Sequence, residues 1–197
     1  GDIVYFRAGS YYPPDVGTDG SFPSWYPRAS GTNVSPIILK AYPGETAIIY
    51  QPADGKAAIG SGQHDYIIWD GFILIKTTTT VANGVYRCYL GDNNTIRNSE
   101  FIGNIAGNSQ NQVGVYINEC TNTYIYNNIF RNFTGSVNTG AMWLMEDSNA
   151  YIYNNDFYDS DNGVQTKSAF SGIYAYNNFF RGVYKPFHWQ QQNPTVN

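Results

Sequence analysis

Six tyrosines come in pairs two residues apart: Tyr124 and Tyr126, Tyr151 and Tyr153, Tyr174 and Tyr176. Residues at that spacing point the same way along a strand, so the pairs form two columns on one face. Arg97 and Trp69 continue one of the columns towards the N-terminus. A tyrosine ring offers an apolar face to a sugar ring and a hydroxyl to its hydroxyls, and an exposed aromatic stripe of this size marks a binding or assembly surface. The same rings stacked on one another stabilise neighbouring coils by about 0.5–1.5 kcal/mol a pair. Acid–base chemistry has poorer material. Lys40, Lys56, Lys76, Lys167 and Lys185 are scattered, and His64 and His188 have no evident carboxylate partner. The best acidic group is Asp156, Asp159 and Asp161, with Glu146 and Asp147 one coil earlier. Oxygen-rich loops suit Ca²⁺, which makes the three aspartates its candidate ligands, against the reading of solvated turn carboxylates. No other cofactor is implied.

The elements that must position these residues are repeats. NTIRNSEFIG, NTYIYNNIFRN, NAYIYNNDFYD and GIYAYNNFFRG place Asn98, Asn127, Asn154 and Asn177 at steps of 29, 27 and 23 residues, and IIWDGFILI puts Asp70 a further 28 upstream. A unit of strand, turn and strand without a helix is the signature of a β-solenoid. Each unit continues into a third strand, GVYRCYL, GVYINEC, GAMWLME or GVQTKS, and KPFHWQQQ departs from the pattern. Three strands per 23–29 residues make a three-sided parallel coil, and 197 residues make roughly seven of them. Ile96, Ile125, Ile152 and Ala175 form one inward column, and Phe101, Phe130, Phe157 and Phe180 another. The turn residues Asn98, Asn127, Asn154 and Asn177 are expected to form an asparagine ladder, since each side chain both donates and accepts and tolerates left-handed geometry. Direct ligand contact would suit their neighbours Asn128, Asn155 and Asn178 better.

Composition narrows the function. Asn is frequent, Leu occurs four times, and Tyr and Gly number 18 and 20, which disfavours helices and leucine-rich repeats. A net charge of −4 argues against nucleic acid, which needs a basic face. No apolar run approaches the ~18 residues of a membrane span. Low charge and a polar Asn/Tyr/Gly/Thr surface suit an extracellular or cell-surface setting. Sequons at Asn33, Asn93 and Asn132 are compatible with glycosylation. Pairing Val85 with Val115 sets Cys88 opposite Asn118 and Cys120 two residues on, a separation of roughly 8 Å between Cα atoms, so a Cys88–Cys120 disulfide requires the strand end to bend.

The opening GDIVYFRAGSYY, the segment SPIILKAYPGE and the recurrent NNxF turns resemble the pectate-lyase-like superfamily of right-handed parallel β-helix proteins. The resemblance covers nearly the whole chain and implies one all-β domain over residues 1–197, with a long loop at 13–35. It also implies what an enzyme of the group would carry: a Lys or Arg base, often with Ca²⁺ on several acids, or grouped aspartates. None of those groupings is present. No helical cap signal stands at either end, so residues are missing there or the ends pair with other copies. The expected protein is a structural or adhesive extracellular β-helix, self-assembling end to end, with the Trp69, Arg97 and tyrosine face for polysaccharide or assembly. The alternative is a fragment of a polysaccharide lyase, hydrolase or phage tailspike acting on an acidic polysaccharide.

Overall fold

The computed structural model describes residues 1–14, 22–52, 56–77, 83–103, 112–135, 139–146, 149–167 and 172–190. Strands β1 (Ile3–Phe6) and β2 (Gly9–Tyr11) open the stack, followed by β3 (Ile37–Ala41), β4 (Ala47–Tyr50) and β5 (Ile59–Gly62). The next turn is β6 (Ile67–Asp70), β7 (Phe72–Ile75) and β8 (Gly84–Tyr89). Then come β9 (Thr95–Arg97), β10 (Glu100–Ile102) and β11 (Val113–Asn118), and β12 (Thr123–Tyr126), β13 (Ile129–Arg131) and β14 (Gly140–Met145). The last two turns merge their second and third strands: β15 (Asn149–Tyr153) with β16 (Asp156–Lys167), and β17 (Gly172–Tyr176) with β18 (Phe179–Gln190).

The pairings between named strands are all parallel, as a coil that returns to the same side each turn demands. The first face stacks β1, β3, β6, β9, β12, β15 and β17; the other two are joined where β16 bends from one to the next. The regular plan makes five turns, from β6 to β18, preceded by two less regular rungs, so the coil is shorter in regular turns than the seven expected.

The core is made of columns. Leu39, Trp69, Ile96, Ile125 and Ile152 stack behind the first face. Behind the second, Ile49 and Leu74 lead into Phe101, Phe130, Phe157 and Phe180, whose rings lie 4.6–5.0 Å apart and within about 10° of parallel. The short repeat distance of a parallel sheet forces like rings face to face, and the stack is the apolar spine of the molecule.

The corner between the first and second faces keeps one rung of the expected asparagine ladder: Asn127 Nδ2 donates to Asn98 Oδ1 (3.3 Å), and Asn98 Nδ2 donates in turn to Asp70 Oδ1 (2.7 Å). Asn98, Asn127, Asn154 and Asn177 have φ of 52–56°, the left-handed corner that asparagine tolerates. A second, more continuous ladder is formed by the residues that follow Asn127, Asn154 and Asn177. Asn128 Nδ2 donates to Ile96 O (3.1 Å) while its Oδ1 accepts from Ser99 N (3.0 Å); Asn155 repeats this with Ile125 O (2.9 Å) and Asn128 N (3.0 Å). Asn178 Oδ1 accepts from Asn155 N (3.0 Å) and its Nδ2 donates to Ile152 O (2.8 Å). Asn128 and Asn155 are buried and bonded within the corner, which removes them from ligand contact.

The cysteines are bridged, with Cα atoms 6.4 Å apart. The register differs by one residue from the expected one: Cys88 pairs with Ile117, and Val115 with Tyr86. Gly84 pairs with Val113, so Gly114 is not its equivalent. The chain then turns at Glu119 (φ 53°) and carries Cys120 back under Cys88. In the chain-entropy view, closing a segment of 32 residues stabilises by about 3–4 kcal/mol.

Two outcomes follow for stability. Asn155→Ala leaves Asn128 N and Ile125 O without partners in a buried corner, and at about 1–3 kcal/mol for each orphaned group it should lower unfolding free energy in denaturant titrations by about 2–6 kcal/mol. Asn154→Gly, at the neighbouring left-handed position, should stay within about 1 kcal/mol of wild type.

Candidate functional site

The first face carries the expected tyrosines. Tyr124, Tyr151 and Tyr174 stack at 4.9 and 4.8 Å, and Tyr126, Tyr153 and Tyr176 at 4.8 and 5.0 Å, all within about 11° of parallel. Rings held face to face along the stack cover one another, so the strip presents ring edges to solvent rather than sugar-stacking faces. Tyr174 and Tyr176, in the last rung, are about half exposed. Burial, and then the neighbouring phenols, push the Tyr153 hydroxyl above its usual pKa.

Arg97 lies on this face in the same column as Tyr126, but Trp69 does not. Trp69 is fully buried, pairs with Ile96 and donates its indole N–H to Gly60 O (3.0 Å). Gly71 (φ 86°) rather than Asp70 turns the corner in this coil, which shifts the strand by one residue and exchanges inward for outward. Asp70 therefore takes the place expected for Trp69. Its Oδ2 accepts from Arg97 Nε (3.1 Å) and NH2 (2.9 Å), its Oδ1 from Asn98 (2.7 Å), and Arg97 NH1 donates to the Tyr126 hydroxyl (2.8 Å). Lys40 precedes Asp70 in the column. The face is thus a charged segment followed by a tyrosine stack.

The aspartates expected as Ca²⁺ ligands are spread along β16. Asp161 accepts from Gly135 N (2.8 Å), Asp156 accepts from the Tyr158 hydroxyl (3.5 Å), and Asp159 sits at a left-handed corner (φ 44°). No group of three or more His, Cys, Asp or Glu is placed to hold a metal among the described residues. Glu146 takes part instead in a bond from Asn118 Nδ2 (3.3 Å), and Asp147 lies outside the described residues.

The third face holds a group that sequence reasoning missed. Its column on the side away from the core runs Arg87, Tyr116, Trp143, Gln165 and His188, each paired with the next, and it is largely covered: Arg87, Trp143 and Gln165 are buried, Tyr116 and His188 half-buried. The Arg87 guanidinium lies over the rings of Tyr116 (4.8 Å) and Tyr89 (5.2 Å). Tyr116 meets Trp143 edge to face at 6.0 Å and donates to Asn118 Oδ1 (3.2 Å). The Lys167 ammonium sits 3.4 Å from the centre of the Trp143 ring, and Gln165 Nε2 donates to Gln190 Oε1 (3.1 Å). Burial lowers Lys167 to about 8; His188 is lowered by burial and then by the nearby ammoniums of Lys185 and Lys167. Tyr116 is pushed up, chiefly by burial. These side chains form a cationic, aromatic strip with Glu119 and Glu146 along its far edge. Aligning the third strands on their glycines hides it, because Gly114 and Gly163 do not occupy the place of Gly84 and Gly140.

A family model described as a right handed beta helix region matches residues 75–196, more than half of the 197 in the chain. The chain belongs to the right-handed β-helix family. The match runs from the end of β7 through the last described turn, so the family assignment rests on the regular coils and agrees with the pectate-lyase-like resemblance. No curated protein and no solved structure matches the chain. Among the described residues no helix of this β-helix protein is long and apolar enough to cross a membrane.

Tyr153 is stacked on both sides, so Tyr153→Ala should cost about 1–3 kcal/mol, two ring contacts at about 0.5–1.5 kcal/mol each. Tyr176→Ala, which removes one contact, should cost about half as much in the same thermal or denaturant unfolding series.

Proposed function

We propose that this protein is an extracellular β-helix that binds an acidic polysaccharide along its third face. The observation that carries this reading is a column that refuses to repeat. The ring stacks of the first two faces hold like residues, phenylalanine on phenylalanine and tyrosine on tyrosine, although the first face also carries the mixed run Lys40, Asp70 and Arg97. Stacking alone accounts for those columns, but not for Arg87, Tyr116, Trp143, Gln165 and His188 in one line. Varied polar and aromatic groups on a rigid scaffold are what recognition uses. Lys167 and Lys185 beside His188 concentrate positive charge in a chain of net −4, which suits carboxylate or sulfate groups on a sugar chain. The disulfide supports the extracellular setting, since such bridges persist in oxidising compartments. In this reading the first face contributes rigidity and solubility rather than sugar stacking.

Titration calorimetry with a polyuronate and with a neutral glucan tests it. The polyuronate should bind, binding should weaken with salt, and Lys167→Ala should raise the Kd about tenfold or more, while Arg97→Ala on the first face should leave it unchanged. Equal binding of both polymers, or of neither, sinks the reading.

One observation favours a second reading, a polysaccharide lyase. Burial brings Lys167 to about 8, so a neutral amine able to take a proton beside a uronate carboxylate is available in mildly alkaline solution. The neutral fraction grows as pH rises through that value. Formation of unsaturated product should therefore increase across about pH 7–9, set by the Lys167 pKa, and disappear in Lys167→Met. Absence of product from every uronate polymer, with or without Ca²⁺, removes the lyase and leaves binding intact.

A further inference from the structure

Buried polar side chains in this coil are put to use: Asn94, Asn128 and Asn155 each hold two backbone groups. The third face breaks the habit. Trp143 Nε1, Gln165 Oε1 and His188 Nδ1 are buried atoms without a hydrogen-bond partner, and they stand on three successive rungs of one column. Trp143 is 3% exposed and Gln165 0%, so bulk water does not reach them. Each orphaned buried group costs about 1–3 kcal/mol, which a ligand of matching polarity would relieve. We propose that a hydroxyl group of the bound saccharide bridges Trp143 and Gln165, accepting from the indole N–H and donating to the carboxamide oxygen.

The two atoms fix the chemistry of the occupant. An indole nitrogen only donates, and an amide oxygen only accepts. A carboxylate would serve Trp143 but set its lone pairs against Gln165, and an ammonium would do the reverse. A hydroxyl satisfies both. Trp143 and Gln165 are paired across neighbouring strands, where side chains leave the sheet about 4.8 Å apart, so one oxygen with bonds of about 2.9 Å to each spans them. The carboxamide is held in that sense, because Gln165 Nε2 is committed to Gln190 Oε1 (3.1 Å) and Oε1 is the end left over.

The anion has its place beside the hydroxyl. Lys167 follows Gln165 by two residues on β16 and leaves the strand on the same side, with its ammonium 3.4 Å from the centre of the Trp143 ring. Lys167 is therefore part of what covers the indole, and its flexible stem lets it swing towards a carboxylate and clear the ring. His188 Nδ1, one rung further, can accept or donate and meets the next polar group along the polymer. On the glycan-binding reading above, on which this assignment rests, the polymer is a uronate whose hydroxyls stand free near the carboxylate. Esterified there, the sugar keeps an acceptor, loses the donor and leaves Gln165 Oε1 orphaned.

Titration calorimetry with a polyuronate, and with the same polymer O-acetylated, tests the bridge on the full chain. Wild type should bind the unmodified polymer at least about tenfold more tightly, since a site built around a hydroxyl rejects an analogue that lacks it. Trp143→Phe keeps a ring under Lys167 and removes the N–H, while Gln165→Met keeps the length and removes the oxygen. Each variant should keep the wild-type circular dichroism, bind the unmodified polymer at least about tenfold more weakly than wild type, and bind the two polymers alike. Should one substitution unfold the chain, the other decides, together with the wild-type comparison. Equal binding of both polymers by wild type overturns the bridge and leaves the glycan-binding reading standing; binding of neither overturns both. Folded variants that hold the unmodified polymer as tightly as wild type also overturn the bridge, because bulk alone then excludes the acetyl group and a buried water serves the two atoms.

Discussion

Every parallel coil has to turn corners, and at a corner the peptide groups leave the hydrogen-bond ladder that the strands provide. Buried groups without partners cost more than most contacts return. Here the debt is met by buried carboxamides. Asn128 and Asn155 each hold a carbonyl of the preceding rung and accept an N–H from it, so that one side chain closes two gaps at once. Asn94 does the same at the corner before the first face, between Ile67 N (2.8 Å) and His64 O (2.9 Å). The flat faces, the ring stacks and the regular rise all depend on those corners staying aligned.

Once the corners are set, the columns follow, and their chemistry divides the surface. The inner phenylalanines and the outer tyrosines are both products of stacking, since equivalent side chains lie one inter-strand spacing apart. A tyrosine column exposed to water is conspicuous, yet its rings spend their faces on each other. The third face obeys no such economy. Its aromatic and cationic groups touch unlike neighbours, and burial tunes Lys167 and His188 away from their usual ranges.

The coil, its parallel strands and the Ile and Phe columns were legible because their repeats are carried by residues of one type at one phase. The pattern misleads where a glycine stands in for a corner residue, or where glycines of successive strands are not equivalent. Gly71 displaced Trp69 inward and Asp70 outward, and Gly114 slid the cysteine strands by one. A single-residue slip is invisible in a hydrophobicity pattern where both phases contain apolar residues, as in IIWD and GVYRCY. The cationic strip was hidden for the same reason. A column defined by difference has no motif to search for until the register is known, and the register is set by peptide bonding.

The Cys88–Cys120 bridge joins two successive turns near the middle of the stack. In a solenoid each turn touches little beyond its neighbours, so loss of order travels as fraying from the ends, one rung at a time. A covalent rivet between the β8 and β11 turns stops such a front. The part below it and the part above it become separate zippers, and tension along the axis would be borne at the rivet after the outer rungs had let go.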